Sequence, residues 1–267
     1  MKMPVIAALL ASTLGMAQTP KAAAPLDLTG YWVSLVSEDW RIRMLNAPKG
    51  DYYSLPLTKE ARKTADTWDA AKDIAEGKQC MSYGAPGIMR VPGRLHITWE
   101  NATTLKLEAD AGKQTRIFSF GAVKPATGAA TMQGSSNAQW LTPQLTRAYT
   151  ANISGRDDNT PGFAGIFNGQ TQEPADTRKL GGSLKVVTTR LRPGYLRNNG
   201  VPYSANAVMT EFYALHTQKG VDYLIVTQSI DDPQYLNVPW VTSNNFRREP
   251  DAAKWDPRPC ELILPSK

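Results

Sequence analysis

Two histidines and two cysteines in 267 residues restrict the chemistry of this chain more than any other feature. His96 and His216 lie far apart, and no Cys-x-x-Cys or His-x-x-x-His spacing occurs. No metal site is therefore expected, and no cofactor. A serine nucleophile needs a histidine beside it. No Gly-x-Ser-x-Gly occurs; His96 falls on a predicted strand and His216 at a strand end. No run beyond the N-terminus reaches the roughly 18 apolar residues of a spanning helix, so no transmembrane segment is expected. The net charge of +6 is scattered rather than clustered, and no RNA-binding aromatic signature accompanies it. A nucleic-acid partner is not expected. No βαβ rhythm appears either, which excludes the doubly wound α/β folds.

What is present begins with an address. Met1-Lys2-Met3 is a short positive start, and Val5 to Leu14 is apolar. Gly15-Met16-Ala17 places small residues at the minus-three and minus-one positions of a cut after Ala17. Residues 1–17 read as a secretory signal peptide and 18–27 as an Ala/Pro lead-in. No cysteine follows the apolar run, so no lipid anchor is expected. The expected location is periplasmic or secreted. There, Cys80 and Cys260 are expected to form one disulfide, with a buried thiol pair as the alternative.

Residues 28–267 are read as a single β domain. Gly30-Tyr31-Trp32 opens a strand through about Ser37. Trp40-Arg41-Ile42-Arg43-Met44 alternates apolar and cationic residues and reads as a half-exposed strand. Thr58 is an N-cap for a helix of about 12–17 residues carrying a core Trp68. Cys80 sits in a Gly/Pro loop, and Ile88 to Val91 reads as a strand. Arg94 to Glu100 alternates strictly, with Leu95, Ile97 and Trp99 on one face. Thr103 to Ala109, Gln114 to Phe120 and Thr131 to Trp140 continue the meander. From about 141 to 182 little could form a core, and the stretch reads as a long insertion, a lid or a surface excursion. A strand over Leu184 to Leu191 follows, then a loop over Tyr195 to Asn206. Ala207 to His216 and Val221 to Ile230 pair through Lys219-Gly220, and Trp240 to Arg248 is the last strand. About ten strands and one clear helix predict a mainly β fold: an antiparallel barrel or barrel-like sandwich with one packing helix.

The Gly-x-Trp at Gly30 to Trp32 resembles the start of calycin (lipocalin-like) barrels, where the Trp plugs the closed end. A second resemblance rests on Gly200-Val201-Pro202-Tyr203-Ser204, Thr210-Glu211-Phe212, Ile230-Asp231-Asp232-Pro233 and Pro239-Trp240. These look like a group of uncharacterised secreted bacterial proteins. The corresponding stretches there read roughly Gly-x-Pro-x-Ser, Thr-Glu-x-Phe and Asp-Asp-Pro-x-x-Tyr-x-x-Pro-Trp. The match spans most of Cys80 to Trp240. It implies secretion and no particular activity. Relatives often carry His in place of Tyr203, so a mechanism needing that His would not transfer.

Two chemistries follow from the residues. A barrel rich in strand-borne aromatics makes a pocket for a small apolar or aromatic molecule, with Trp99, His96, Tyr213, Trp240 and Arg197 as candidate contacts. Alternatively, Glu211 lies mid-strand and points into the barrel, where it is desolvated. With Asp231 or Asp232, and Tyr203 or Tyr235 as proton donor, it could run the acid–base chemistry of a lyase, isomerase or hydrolase. The competing role for Glu211 is a structural ion pair with an arginine, and for Asp231-Asp232-Pro233 plain turn chemistry. A third function is that of a cell-envelope interaction protein with a filled barrel.

Overall fold

A computed structural model describes residues 18–45, 47–121, 128–142 and 182–262. The expected signal peptide and nearly all of the expected insertion lie outside the described residues.

Eleven strands and four short helices follow in chain order: β1 (Gly30–Leu35), α1 (Trp40–Met44), α2 (Lys59–Asp66), α3 (Ala70–Ala75), α4 (Ala85–Ile88), β2 (Arg94–Asn101), β3 (Thr104–Ala109), β4 (Gln114–Phe120), β5 (Ser135–Leu141), β6 (Ser183–Thr189), β7 (Gly194–Arg197), β8 (Val201–Tyr203), β9 (Val208–Gln218), β10 (Val221–Asp231) and β11 (Trp240–Glu249). Nine of them close a barrel in the order β1-β11-β10-β9-β6-β5-β4-β3-β2. Closure removes exposed edges. The expected barrel is thus the observed one, with one departure: β4 and β5 pair in parallel. Phe120 ends β4 at one end of the barrel, beside Trp99 and Trp140. The chain reappears at the other end, where Met132 O accepts the α4 amide of Ala85. A strand starting there must run the same way as β4.

Period-2 patterning sets the inward faces. On β9, Met209, Glu211 and Tyr213 are buried and Val208 is exposed. β9 and β10 are eleven residues each, joined by Lys219 and Gly220, both at positive φ. Two positive φ values in a two-residue turn suit the right-handed twist of the strands.

Several local expectations are corrected. Trp40–Met44 is one helical turn, not a strand. Asp39 sits at φ 50°, which turns the chain out of β1, and its carbonyl accepts from Ile42 and Arg43. The long helix is split. Thr58 caps α2 through Ala61 N as expected, but Asp69 accepts from Ala71 and Lys72 N and starts α3. Trp68, between them, is buried and donates to Asp73 Oδ2 at 2.9 Å. Ile88 closes α4 rather than opening a strand. The expected loop after Tyr195 is a small two-stranded sheet, β7–β8. Its turn needs Gly200, at φ +78°, because a Cβ there would lie 2.1 Å from the Trp68 ring.

The interior has two apolar clusters. One fills the barrel with Trp32, Leu107, Phe118, Tyr213, Leu224 and Phe246 among others. The other joins Leu57, Ala61, Leu196, Tyr203, Met209, Ile230 and Trp240 at the end covered by α2, α4 and β7–β8. Between them lies a polar layer. Glu211 falls between Met209 and Tyr213 on β9, Gln228 between Val226 and Ile230 on β10, and Asn244 between Trp240 and Phe246 on β11.

Cys80 and Cys260 form the expected disulfide, with Cα atoms 5.1 Å apart. It ties the loop before α4 to the tail, where Tyr83 Oη donates to Glu261 O at 3.0 Å. The bridge spans a sequence separation of 180. Cys260→Ser is expected to lower unfolding free energy by about 5 kcal/mol in the chain-entropy model, read by urea titration beside the oxidised wild type. A change within about 0.5 kcal/mol would show that the bridge constrains nothing.

Candidate functional site

Three arginines gather at the helical end of the barrel. α1 turns Arg43 inward, to 1% side-chain exposure, while Trp40 stands 62% exposed. Arg43 Nε donates to Arg90 O at 3.1 Å and Nη1 to Glu38 Oε1 at 3.0 Å. Arg90 Nη2 donates to Asp39 Oδ2 at 2.7 Å. Arg197, on β7, donates from Nη1 to Tyr53 O at 2.9 Å and from Nη2 to Ser54 Oγ at 3.1 Å. Both Arg90 and Arg197 lie against the Trp240 ring, 5.1 and 5.6 Å from its centroid, in cation–π range. Burial, then the Arg90 charge, pushes the Arg197 guanidinium down to about 10. Burial is also the main cause lowering Arg43.

Above Trp240 lies an open groove of about 690 Å³, walled by Gly50 to Pro56, Arg62 and Pro239. Tyr52 Oη donates to Asp66 Oδ1 at 2.7 Å in its wall. Six of the ten large apolar side chains that stand exposed among the described residues come from segments meeting at this end: Trp40, Met44, Leu45, Tyr53, Val238 and Val241.

The polar layer inside the barrel is a different arrangement. Arg116, on β4, meets Glu211 with two parallel bonds, Nη1 to Oε1 at 2.9 Å and Nη2 to Oε2 at 2.5 Å. The pair is fully buried, at 1% and 0% side-chain exposure. Tyr213 Oη donates to Glu211 Oε1 at 3.1 Å and Gln228 Nε2 lies 3.3 Å from the same oxygen. Asn244 Nδ2 donates to Gln228 Oε1 at 2.7 Å, and Ser136 and Thr188 share a bond at 2.8 Å. Burial alone would lower Arg116, but the Glu211 carboxylate outweighs it and holds the guanidinium above its ordinary value. Burial, then the Glu211 charge, drives the Tyr213 phenol well up. This geometry is the structural ion pair, with both carboxylate oxygens engaged.

The expected site residues divide among several places. Glu211 and Tyr213 meet in the polar layer, and Arg197 and Trp240 meet beneath the groove. Tyr203 is buried in the helical-end cluster, and its hydroxyl has no hydrogen-bond partner among the described residues. Asp231 is exposed at the end of β10. Its neighbour Asp232 is buried and accepts from Ser204 N at 2.6 Å and Ser204 Oγ at 2.7 Å, which is turn chemistry. Tyr235 is half-buried, and its carbonyl accepts from Thr58 N. Among the described residues no hydrogen bond joins Tyr203, Asp231 or Tyr235 to Glu211, so the four do not form one acid–base constellation. Trp99 packs with Phe120 and Trp140 at the opposite end. His96 faces outward, stacked on Tyr31 at 4.1 Å with Nδ1 3.3 Å from Glu108 Oε2. Arg116, Arg43 and Arg90 were not singled out in the sequence. Arg116 was accessible to the β4 alternation, which puts it on the face of Phe118 and Phe120.

Removing one partner of a buried pair leaves the other charge uncompensated. Glu211→Gln is expected to destabilise by about 3–5 kcal/mol in urea titration, whereas Arg116→Met with Glu211→Leu together costs less. Equal losses would mean that the pair itself carries the stability. Alkaline pH gives a second check. Tyr52 is pushed up to about 12 by burial and then by its bond to Asp66, and Tyr83, Tyr195, Tyr203 and Tyr213 are also raised, burial first. The unfolded chain therefore releases phenol protons first, so stability is intact below about pH 10 and falls as pH rises above it. Tm measured from pH 8 to 11 by circular dichroism should drop at the upper end, with a shallower drop in Tyr52→Phe.

No family model, curated protein or solved structure matches the chain. Its own spacing also departs by one residue from two of the expected motifs: Phe212 follows Glu211 directly, and Tyr235 stands one place early after Pro233.

Proposed function

We propose that the protein is an exported binding protein for a small aromatic molecule, taken up in the groove over Trp240 rather than within the barrel. Support for export comes from the N-terminal pattern of residues 1–17 and from the disulfide. No helix of the described residues is long and apolar enough to cross a membrane.

The observation that carries the binding site is an open groove of ligand size whose lining includes Tyr52, Tyr53, Leu55 and Trp240, with the exposed Tyr53 in its wall. Trp240, itself only 4% exposed, is among its lining residues and lies beside two guanidinium groups, and Tyr53, 72% exposed, stands in its wall. The barrel interior supports a different role. Its side chains are packed and its polar groups bond one another, which suits a scaffold. Glu211 as a general base has little support, since both its oxygens are taken by Arg116.

Neutral aromatic probes, indole and benzamide, test the groove by tryptophan fluorescence and calorimetry. Binding should weaken at least about tenfold in Trp240→Ala, a loss typical of one aromatic anchor. Unchanged affinity in a variant with a wild-type circular dichroism spectrum would remove the groove as the site.

A further inference from the structure

We infer that the Arg43–Arg90–Arg197 cluster is an anion site that receives a carboxylate group of the ligand, so that the preferred ligand is an aromatic carboxylate. This inference rests on the groove as the ligand site.

The charges do not balance. Three guanidinium groups face two carboxylates, Glu38 and Asp39, and Asp39 is shared between Arg90 at 2.7 Å and Arg197 at 3.9 Å. Arg41 and Asp51 nearby pair with each other at 2.8 Å, adding no net charge. Among the described residues one positive charge is in excess, on side chains only 1%, 5% and 3% exposed. Excess buried charge is costly unless something of opposite sign meets it.

Donors also remain. Arg43 Nη2, Arg90 Nη1 and Arg197 Nε are buried and have no hydrogen-bond partner among the described residues, and the same holds for Ser82 Oγ. The residues that carry these four atoms all line one cavity of about 30 Å³. Space of that size holds about two water-sized oxygens. A carboxylate offers two oxygens in a plane, and planar guanidinium N–H groups match them. The cavity shares no lining residue with the groove, but two of its arginines touch the groove's lining. Arg197 lines the cavity while bonding Tyr53 and Ser54 of the groove wall, and Arg90 lines it while lying on Trp240 of the groove lining. A ring over Trp240 would thus carry its carboxylate toward the arginines.

Three probes separate the two parts. Acetate reads the anion site alone, benzamide reads the groove alone, and benzoate reads both. Calorimetry gives affinities, and arginine Nε–H NMR signals report the cluster, with sodium chloride at equal ionic strength as control. Benzoate should bind at least about tenfold tighter than benzamide, the scale of a charge-assisted bidentate contact. Acetate should shift the Arg197 Nε–H signal beyond the chloride control. Arg43→Lys keeps the charge but loses the planar fork, and should erase the benzoate preference while benzamide binds as in the wild type. Benzoate binding no tighter than benzamide, or no arginine shift beyond chloride, overturns the anion site while leaving the groove. Acetate shifts without any benzamide or benzoate binding would keep the anion site and remove the groove. Failure of all three would remove both.

Discussion

The Arg116–Glu211 pair decides what kind of barrel this is. Two ions of opposite sign, fully desolvated, occupy the level where a ligand-binding barrel would be open. Each must keep its partner, because a lone buried charge is strongly unfavourable. Around them Tyr213, Gln228, Asn244, Thr188 and Ser136 link through further bonds. The side chains on this layer come from β4, β5, β6, β9, β10 and β11. A small error of strand register would swing them to the outer face. We read the pair as the element that pins the closed register and fills the interior in one arrangement.

On our proposal, recognition takes place at the helical end and not inside the barrel. There the chain leaves β1 through Asp39, returns through α2 to α4, and comes back in β7–β8 before re-entering the sheet at β9. Three of these returns each deliver an arginine to the same place, from α1, from the residues after α4 and from β7. Trp240 opens β11 beneath them, in contact with two of the three. In the proposed site, loops and short helices carry the contacts while the closed sheet holds their ends, a common division of labour between scaffold and recognition surface.

Much of the scaffold was legible in the sequence. The alternation in Arg94 to Glu100 put Leu95 and Ile97 on one face, and both are buried; Glu211 was expected to point into the barrel and is buried there. The disulfide followed from the expectation of export and from the count of two cysteines. The partner of Glu211 did not follow, because Arg116 is 95 residues away and on a non-adjacent strand of the barrel. Only closure brings them together. Asp231 and Tyr235 are near Glu211 in sequence, but Asp231 stands one step beyond the inward Ile230 and so faces out. Trp40 to Met44 misled because five residues of alternating character fit one helical turn as well as a strand. The arginine cluster was illegible for a related reason: its members sit outside the barrel strands, where no periodicity constrains direction.

Crystals pressurised with xenon would test the filled interior most directly, since xenon enters dry apolar cavities that other probes miss. The expected result is no xenon among Phe118, Tyr213 and Leu224 or beside the Arg116–Glu211 pair. A xenon atom bound there would contradict a solid barrel and return the ligand site to its interior.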